Sequence, residues 1–172
     1  MLEQAKLHES QIQDKYIRTF DDPKYMYYHL NDSAEAIEFR DTNWSKLQYA
    51  SVNEEGEVVG YFACFITRQA RNAYDISIIK FEESNVFSID LMRFFDLLFF
   101  ERNFNKASFE VVIGNPVESM YDKFINRYGG KIVGIKEKET VLRDGKHYDL
   151  KMYEIMREAY CKNRKRHGKS TS

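Results

Sequence analysis

Cysteine, proline and glycine are all scarce in this chain. The two cysteines, Cys64 and Cys161, are far apart, which rules against a disulfide-stapled scaffold and, with no signal peptide in view, fits a reduced cytoplasmic chain. Prolines number two and glycines eight, and the chain has no internal repeat and no low-complexity segment. Unbroken apolar runs such as Tyr61 to Ile66 fall far short of the ~20 residues that cross a bilayer, so no membrane partner is expected. Charge of one sign is also missing. Lys and Arg number 26 against 27 Asp and Glu, a formal net charge of −1, so no global field points to nucleic acid. The four histidines, at positions 8, 29, 147 and 167, are scattered without metal-ligand spacing, and no metal site is expected.

What remains is 172 residues, 43% hydrophobic and 15% aromatic, enough for one domain with a real core. The segment MLEQAKLHESQI is either a short docking helix or a frayed end. KYIRTF has the residues of a first strand. DDPKYMYYHL predicts a helix with Asp22 as cap and Pro23 at its first position, and a second helical piece is expected over 34–39. From Leu47 onward LQYASVN, EVVGYFACFITR and AYDISIIKF read as strands, the first two joined at Glu54-Glu55-Gly56 as a hairpin. SIDLMRFFDLLFFERNF, capped by Ser84 or Ser88, is apolar around most of its circumference and must pack heavily on a sheet.

The stretch VVIGNPVESMYDKFINRYGGKIVG carries the clearest local logic. Asn115 is a good N-cap, Pro116 suits the first helical position, and Glu118 stands where a capping-box carboxylate reaches back. Apolar residues from Val117 to Tyr128 recur on one helical face, and Gly129-Gly130 ends it. Flanking runs rich in Val and Ile read as strands. The unit is strand, helix, strand, and if the strands are parallel the helix start lies at their carboxyl edge, where open sheets bind ligands. Two last strands surround Asp144-Gly145, a pair favouring a type I′ turn. The expected domain ends near residue 160, and 161–172 reads as a basic tail without periodicity. The fold class is α+β: a mixed, mainly antiparallel sheet of about seven strands, with a parallel step at its centre and helices on both faces.

This order, with GNPVESMYDKFINRYGGKIVG and VLRDGKHYDLKMYEIMREAY, resembles the GNAT superfamily of N-acyltransferases, in particular the branch of ribosomal-protein and small-molecule acetyltransferases. The likeness spans roughly 47–160. In that family a glycine-containing loop before the long helix cradles the pyrophosphate of the acyl donor. Here FEESNVFS stands in its place, without glycine and with two acids. The family's Tyr usually falls seven residues after the Asn, whereas Tyr121 is six after Asn115.

The resemblance implies acetyl-CoA as donor substrate, with no metal, and a primary amine on a small molecule or protein as acceptor. It implies that the two central strands splay, so that the donor's pantetheine pairs with exposed backbone. Carried over residue by residue, Ile79, Lys80 and Phe81 offer main-chain groups to pantetheine and thioester. Val86, Phe87 and Ser88 hold the pyrophosphate at the helix start, and Asn115 donates its amide. Tyr121 protonates the departing thiolate. Asp75 is the candidate base, with Glu110 as rival. Trp44, Tyr27 and Tyr28 lie in segments that shape acceptor pockets in such a fold. Each residue also has a structural reading: Tyr121 as a core phenol, Asn115 as a cap alone, Asp75 and Glu110 as solvent-facing alternates, Cys64 as buried packing. The chain-level alternatives are a non-catalytic GNAT-fold binding module with a degenerate donor loop, and an RNA- or ribosome-associated accessory resting on the basic tail. Aromatics in the last hairpin are compatible with a homodimer.

Overall fold

The computed structural model describes residues 1–168, with side chains to Arg166. Seven strands form one sheet in the order β1-β2-β3-β4-β5-β7-β6. They are β1 (Leu2–Gln4), β2 (Lys46–Val52), β3 (Val58–Thr67), β4 (Asn72–Lys80), β5 (Lys106–Val112), β6 (Lys131–Val141) and β7 (His147–Met156). Among the described residues β4 and β5 make the one parallel pairing, and every other pair of neighbours is antiparallel.

Helices cover both faces. On one side lie α1 (Glu9–Arg18) and a 3-10 segment, Pro23–Tyr28, over a core that includes Ile12, Tyr25, Tyr61 and Phe81. On the other lie α2 (Asn85–Asp96), α3 (Glu118–Tyr128) and α4 (Arg157–Gly168), over a larger, aromatic-rich core with Phe62, Phe94, Phe95, Phe109 and Tyr160. Period-two alternation along β2 and β3 divides their side chains between the two cores: Leu47 and Tyr49 go one way, Ala50 and Val52 the other.

Several local expectations are corrected. KYIRTF is not a strand; Lys15 to Arg18 complete α1. Its β-branched and aromatic residues lose to the burial of Ile12 and Tyr16 on one helical face against the sheet. The region 34–39 is irregular. The segment after Pro23 is a 3-10 helix, with Asp22 accepting from the Lys24 N–H at 3.0 Å. Ser84, not Ser88, caps α2, accepting from the Val86 N–H at 3.1 Å. That helix ends in a π segment over Leu97–Glu101. The last hairpin is not type I′. Asp144 keeps negative φ while Gly145 has φ +76, and the Gly145 N–H donates to the Leu142 carbonyl at 2.9 Å, the pattern of a type I turn followed by a left-handed glycine.

The basic segment after Tyr160 continues α4 rather than starting a tail. Asp96 of α2 accepts from the Tyr160 phenol at 2.8 Å and from two nitrogens of Arg164, so α4 is clamped to α2. The remainder of the expected tail, 169–172, lies outside the described residues. Gly129, at φ +76, ends α3 and sits so close to α4 that an added Cβ would lie 2.7 Å from Asn163 Nδ2, meeting two demands with one residue. Among the described residues, no helix is long and apolar enough to cross a membrane.

Candidate active site

β4 and β5 begin side by side and then part. Asn72 opposes Lys106 and Ala73 opposes Ala107, and no further pair joins the two strands. The cause is local. Between the pairs Phe65↔Tyr74 and Ala63↔Ser77, Cys64 faces two residues of β4, Asp75 and Ile76. This is a bulge, with Asp75 at φ +49. A bulge bends its strand and increases its twist, and here it swings β4 toward β3 and away from β5.

Hydrogen-bond parity then decides which backbone groups face the gap. The Phe81 N–H donates to the Val59 carbonyl at 3.0 Å. Residues two apart share a direction in an antiparallel ladder, so Ile79, opposite Tyr61, also turns its groups toward β3. Ile78 and Lys80 turn theirs toward the gap. The Phe81 carbonyl is taken too: the Tyr25 phenol lies 2.9 Å from it and 3.0 Å from the Lys80 carbonyl. Across the gap the Ile113 N–H donates to the Asp149 carbonyl of the β7 side at 2.9 Å, so by the same alternation Glu110 and Val112 direct their main-chain groups into the opening. Of Ile79, Lys80 and Phe81, the residues expected to offer main-chain groups, Lys80 has the right parity, with its N–H left to the gap. Ile79 and Phe81 do not, and Ile78 was missed because parity depends on the partner strand's register.

The gap opens into a cleft of about 250 Å³. Tyr16, Tyr27 and Tyr28 line one wall, and Tyr121, Asn115 and Glu110 line the opposite side. Tyr121 is 9% exposed, with its ring edge-on to Phe109 at 5.3 Å. Burial and the neighbouring Tyr28 and Tyr153 push its phenol well above the usual tyrosine value, so it holds its proton at neutral pH. Its hydroxyl has no hydrogen bond to the described residues. Asn115 accepts from the Val117 N–H at 3.1 Å through its side-chain oxygen, which leaves the amide nitrogen to donate elsewhere. Glu118 reaches back as expected, but to the Gly114 N–H at 3.2 Å, while also accepting from Lys151 at 2.9 Å. α3 therefore starts at Glu118, later than the cap alone predicts.

Asp75 is not among the residues lining this cleft. As the extra residue of the bulge it is exposed, in an adjoining groove of about 310 Å³ with Tyr74, Ser108 and Met152. Glu110 borders both spaces and pairs with Lys136 at 2.9 Å. Trp44 lies at the surface beneath Arg68, whose guanidinium is 4.0 Å from the ring centre, and is not part of the cleft lining. Cys64 is fully buried and its thiol is pushed up to about 12 by burial, which makes it packing rather than a nucleophile.

The start of α2 stands at the carboxyl edge of β4. Its two acids are drawn off: Glu82 pairs with Lys15 of α1, and Glu83 with Lys80 at 2.8 Å. Of the three residues expected to hold a pyrophosphate there, Val86 has given its N–H to Ser84 and Phe87 keeps a first-turn N–H. Ser88 lies one position deeper, where regular helical bonding takes over. The Phe87 side chain is core, stacked on Phe62 at 5.1 Å, and Gly60 makes room for it, since an added Cβ there would lie 2.3 Å from the Phe87 ring.

No family model matches this sequence, and no curated protein matches it. Solved structures do resemble the fold. A spermidine N-acetyltransferase from Vibrio cholerae, in complex with CoA and spermine, superposes with a TM-score of 0.69 at 17% identity, covering 94% of this chain and 97% of that one. A spermidine/spermine N-acetyltransferase from the same organism, with manganese ions, gives 0.61 at 18% identity over 70% of each chain. A splayed β4–β5 pair, a bulged β4 and α2 beginning at their open edge are thus set in a sheet whose fold this chain shares with N-acetyltransferases, the GNAT fold.

Proposed function

We propose that the chain is an N-acyltransferase that moves an acetyl group from acetyl-CoA to a primary amine. The observation that carries this reading is the parting of β4 and β5 beyond Ala73 and Ala107, which leaves main-chain groups of Ile78 and Glu110 and the N–H groups of Lys80 and Val112 facing a cleft that holds a protonated phenol, while Tyr25 and the Asn115 N–H take the Lys80 and Val112 carbonyls. The acetyltransferase names of the superposed structures support it.

In this reading the pantetheine arm lies in the gap as an added strand, bonded to β4 through Ile78 and Lys80. One of these N–H groups faces the oxyanion of the tetrahedral intermediate. Asn115 donates its amide to the arm, and the α2 start, through Asn85 and Phe87, meets the pyrophosphate. The acceptor loses a proton to water near Glu110, and its nitrogen attacks the thioester carbonyl. The N–C bond forms first, giving the tetrahedral intermediate, and its collapse breaks the C–S bond. The Tyr121 phenol gives its proton to the leaving sulfur and regains one from the acylated nitrogen. A thiol with pKa about 8.5 leaves readily, so Tyr121 assists the step rather than enabling it. Small-molecule amines are the favoured acceptors, because tyrosines line a cleft of small-molecule size.

The test is thermal unfolding with and without acetyl-CoA, followed by a transfer assay over a panel of amines. Saturation at a hundred times the dissociation constant adds about 2.7 kcal/mol, a rise of several degrees for a chain of this size. No rise at millimolar acetyl-CoA would favour a binding module that has kept the sheet but lost the donor.

A further inference from the structure

The cleft has a chemical bias that acyl transfer does not by itself require. Glu110 is its one charged lining residue, and Lys136, paired with it at 2.9 Å, lies outside the lining. Four of its side chains are tyrosines, and aliphatic groups of Ile76, Ile78 and Leu150 fill much of the rest.

The aromatic wall is held rigidly. Tyr28 ends the 3-10 segment and packs edge-on against Tyr25 at 5.4 Å. Tyr25 in turn is hydrogen-bonded to the backbone at the end of β4, so the ring of Tyr28 is tied to the strand that frames the gap. Tyr27 beside it leans on Tyr148 of β7 at 6.1 Å. Burial, with Tyr25 nearby, pushes the Tyr28 phenol up to about 12, so at working pH it is a neutral ring. Its hydroxyl has no hydrogen bond to the described residues. A ring placed in this way, in a cleft whose lining holds one carboxylate and no cation, attracts an alkylammonium through its π face. A carboxylate on the acceptor would meet Glu110, and the cation beside that residue, Lys136, is already engaged by Glu110 and Glu139, so its desolvation is poorly offset.

We propose that the cleft selects acceptors bearing an aliphatic ammonium and no carboxylate close to it, and that Tyr28 is a specificity-determining residue that holds the cation against its ring. This deepens the transferase reading and rests on it for the identity of the acceptor side. The acceptor class is an alkylamine whose methylene stem lies on the aliphatic lining while its ammonium sits between Tyr28 and Glu110. Free amino acids and other amino carboxylates of similar length are poor ligands.

The experiment compares n-butylamine with 4-aminobutanoate, which has the same methylene count and an added carboxylate. Binding to the full chain in the presence of CoA is followed by ligand-observed NMR, and acetyl transfer is assayed in parallel. Wild type, Tyr28→Phe and Tyr28→Leu are tested, with thermal unfolding confirming that each variant folds. Wild type should favour n-butylamine about tenfold or more. Tyr28→Leu should weaken n-butylamine binding and raise its KM by about tenfold with little change in kcat, whereas Tyr28→Phe, which keeps the ring, should stay within about threefold of wild type. CoA affinity should be the same in all three. Equal wild-type affinity for the two ligands overturns the proposal, as does unchanged n-butylamine binding in Tyr28→Leu or an equal loss in Tyr28→Phe. Tyr28-dependent binding of n-butylamine without any acetyl transfer would leave this inference standing and remove the transferase reading. Transfer indifferent to Tyr28 would do the reverse.

Discussion

Ala73 of β4 and Ala107 of β5 are the last two residues that these parallel strands set opposite each other. Two positions further on, Asp75 adopts φ +49 inside the bulge, and from there the strands go separate ways. The small side chains let the strands start in close contact, and the bulge then commits β4 to β3. The cleft is therefore a consequence of one extra residue in one ladder.

Tyr121→Phe tests the phenol against its packing role. The hydroxyl has no partner among the described residues and the ring contacts Phe109 and Tyr153, so stability should change by less than about 1 kcal/mol. Loss of a proton donor to the thiolate should lower kcat by about 10²-fold, the low end for general acid catalysis because thiolate is a tolerable leaving group. CoA binding measured calorimetrically should not move. Unchanged turnover would return Tyr121 to the core.

Glu82 and Glu83 stand beside the α2 start and are held by Lys15 and Lys80. Neutralising both, as Glu82→Gln with Glu83→Gln, removes two anions from the place where a pyrophosphate would lie and frees two lysines to face it. Each such charge near a helix end is worth about 0.3–1 kcal/mol, so CoA should bind about three- to tenfold more tightly in low salt, with the gain shrinking as salt is raised. Equal CoA affinity in both proteins would show that the donor's phosphates lie elsewhere.

Gly60→Ala should destabilise the fold. The added methyl would stand 2.3 Å from the Phe87 ring and 3.0 Å from the Ile79 carbonyl oxygen, and overpacking of this sort costs about 1–3 kcal/mol. For a domain of this length that corresponds to a fall of roughly 3–10 °C in Tm. Because Phe87 opens α2, CoA affinity should fall as well; a variant with wild-type Tm would mean that Phe87 moves aside at no cost.

His29 predicts a pH dependence that belongs to stability rather than catalysis. The Thr19 hydroxyl donates to the Tyr16 carbonyl at 2.6 Å and so accepts from His29 Nε2 at 2.7 Å, leaving Nδ1 buried without a partner among the described residues. Burial, and then Arg143, push this imidazole down to about 4, below the ~6.5 of a free histidine. Between those values the unfolded chain binds the proton and the folded chain does not, so this contribution is complete above pH ~6.5 and is lost as pH falls toward about 4. His29→Gln should flatten the Tm curve over that interval while retaining an N–H donor near Thr19. Parallel curves for the two proteins would sink the assignment.

The strands from Lys46 onward, the long apolar α2 and the strand-helix-strand unit around Asn115 were legible because each rests on near-neighbour chemistry: alternation, a cap, a glycine at a helix end. Asn115 as a cap and Tyr121 on a helical face were reachable by the same route, and their candidacy for the site came from the family resemblance of that segment. Tyr16 was not, since Lys15 to Phe20 carry the residues of a strand, and Lys15 to Arg18 become the end of a helix only when Ile12 and Tyr16 find the sheet. Glu110 rather than Asp75 borders the cleft, and Ile78 rather than Ile79 turns its main-chain groups into it, for a related reason. One inserted residue at Asp75 reverses every inward and outward assignment relative to a regular strand, and nothing within AYDISIIKF marks it.

By itself the amino-acid order determined which segments after Lys46 would be strands, where α2 and α3 begin and end to within a turn, and that the product would be a single layered α+β domain. Those outcomes depend on interactions a few residues long. The tertiary structure alone decided where β4 leaves β5, which amides face the opening, and that phenols from α1, the 3-10 segment and α3 meet across it. Such facts depend on register and on contacts between segments about a hundred residues apart, and no local pattern encodes them.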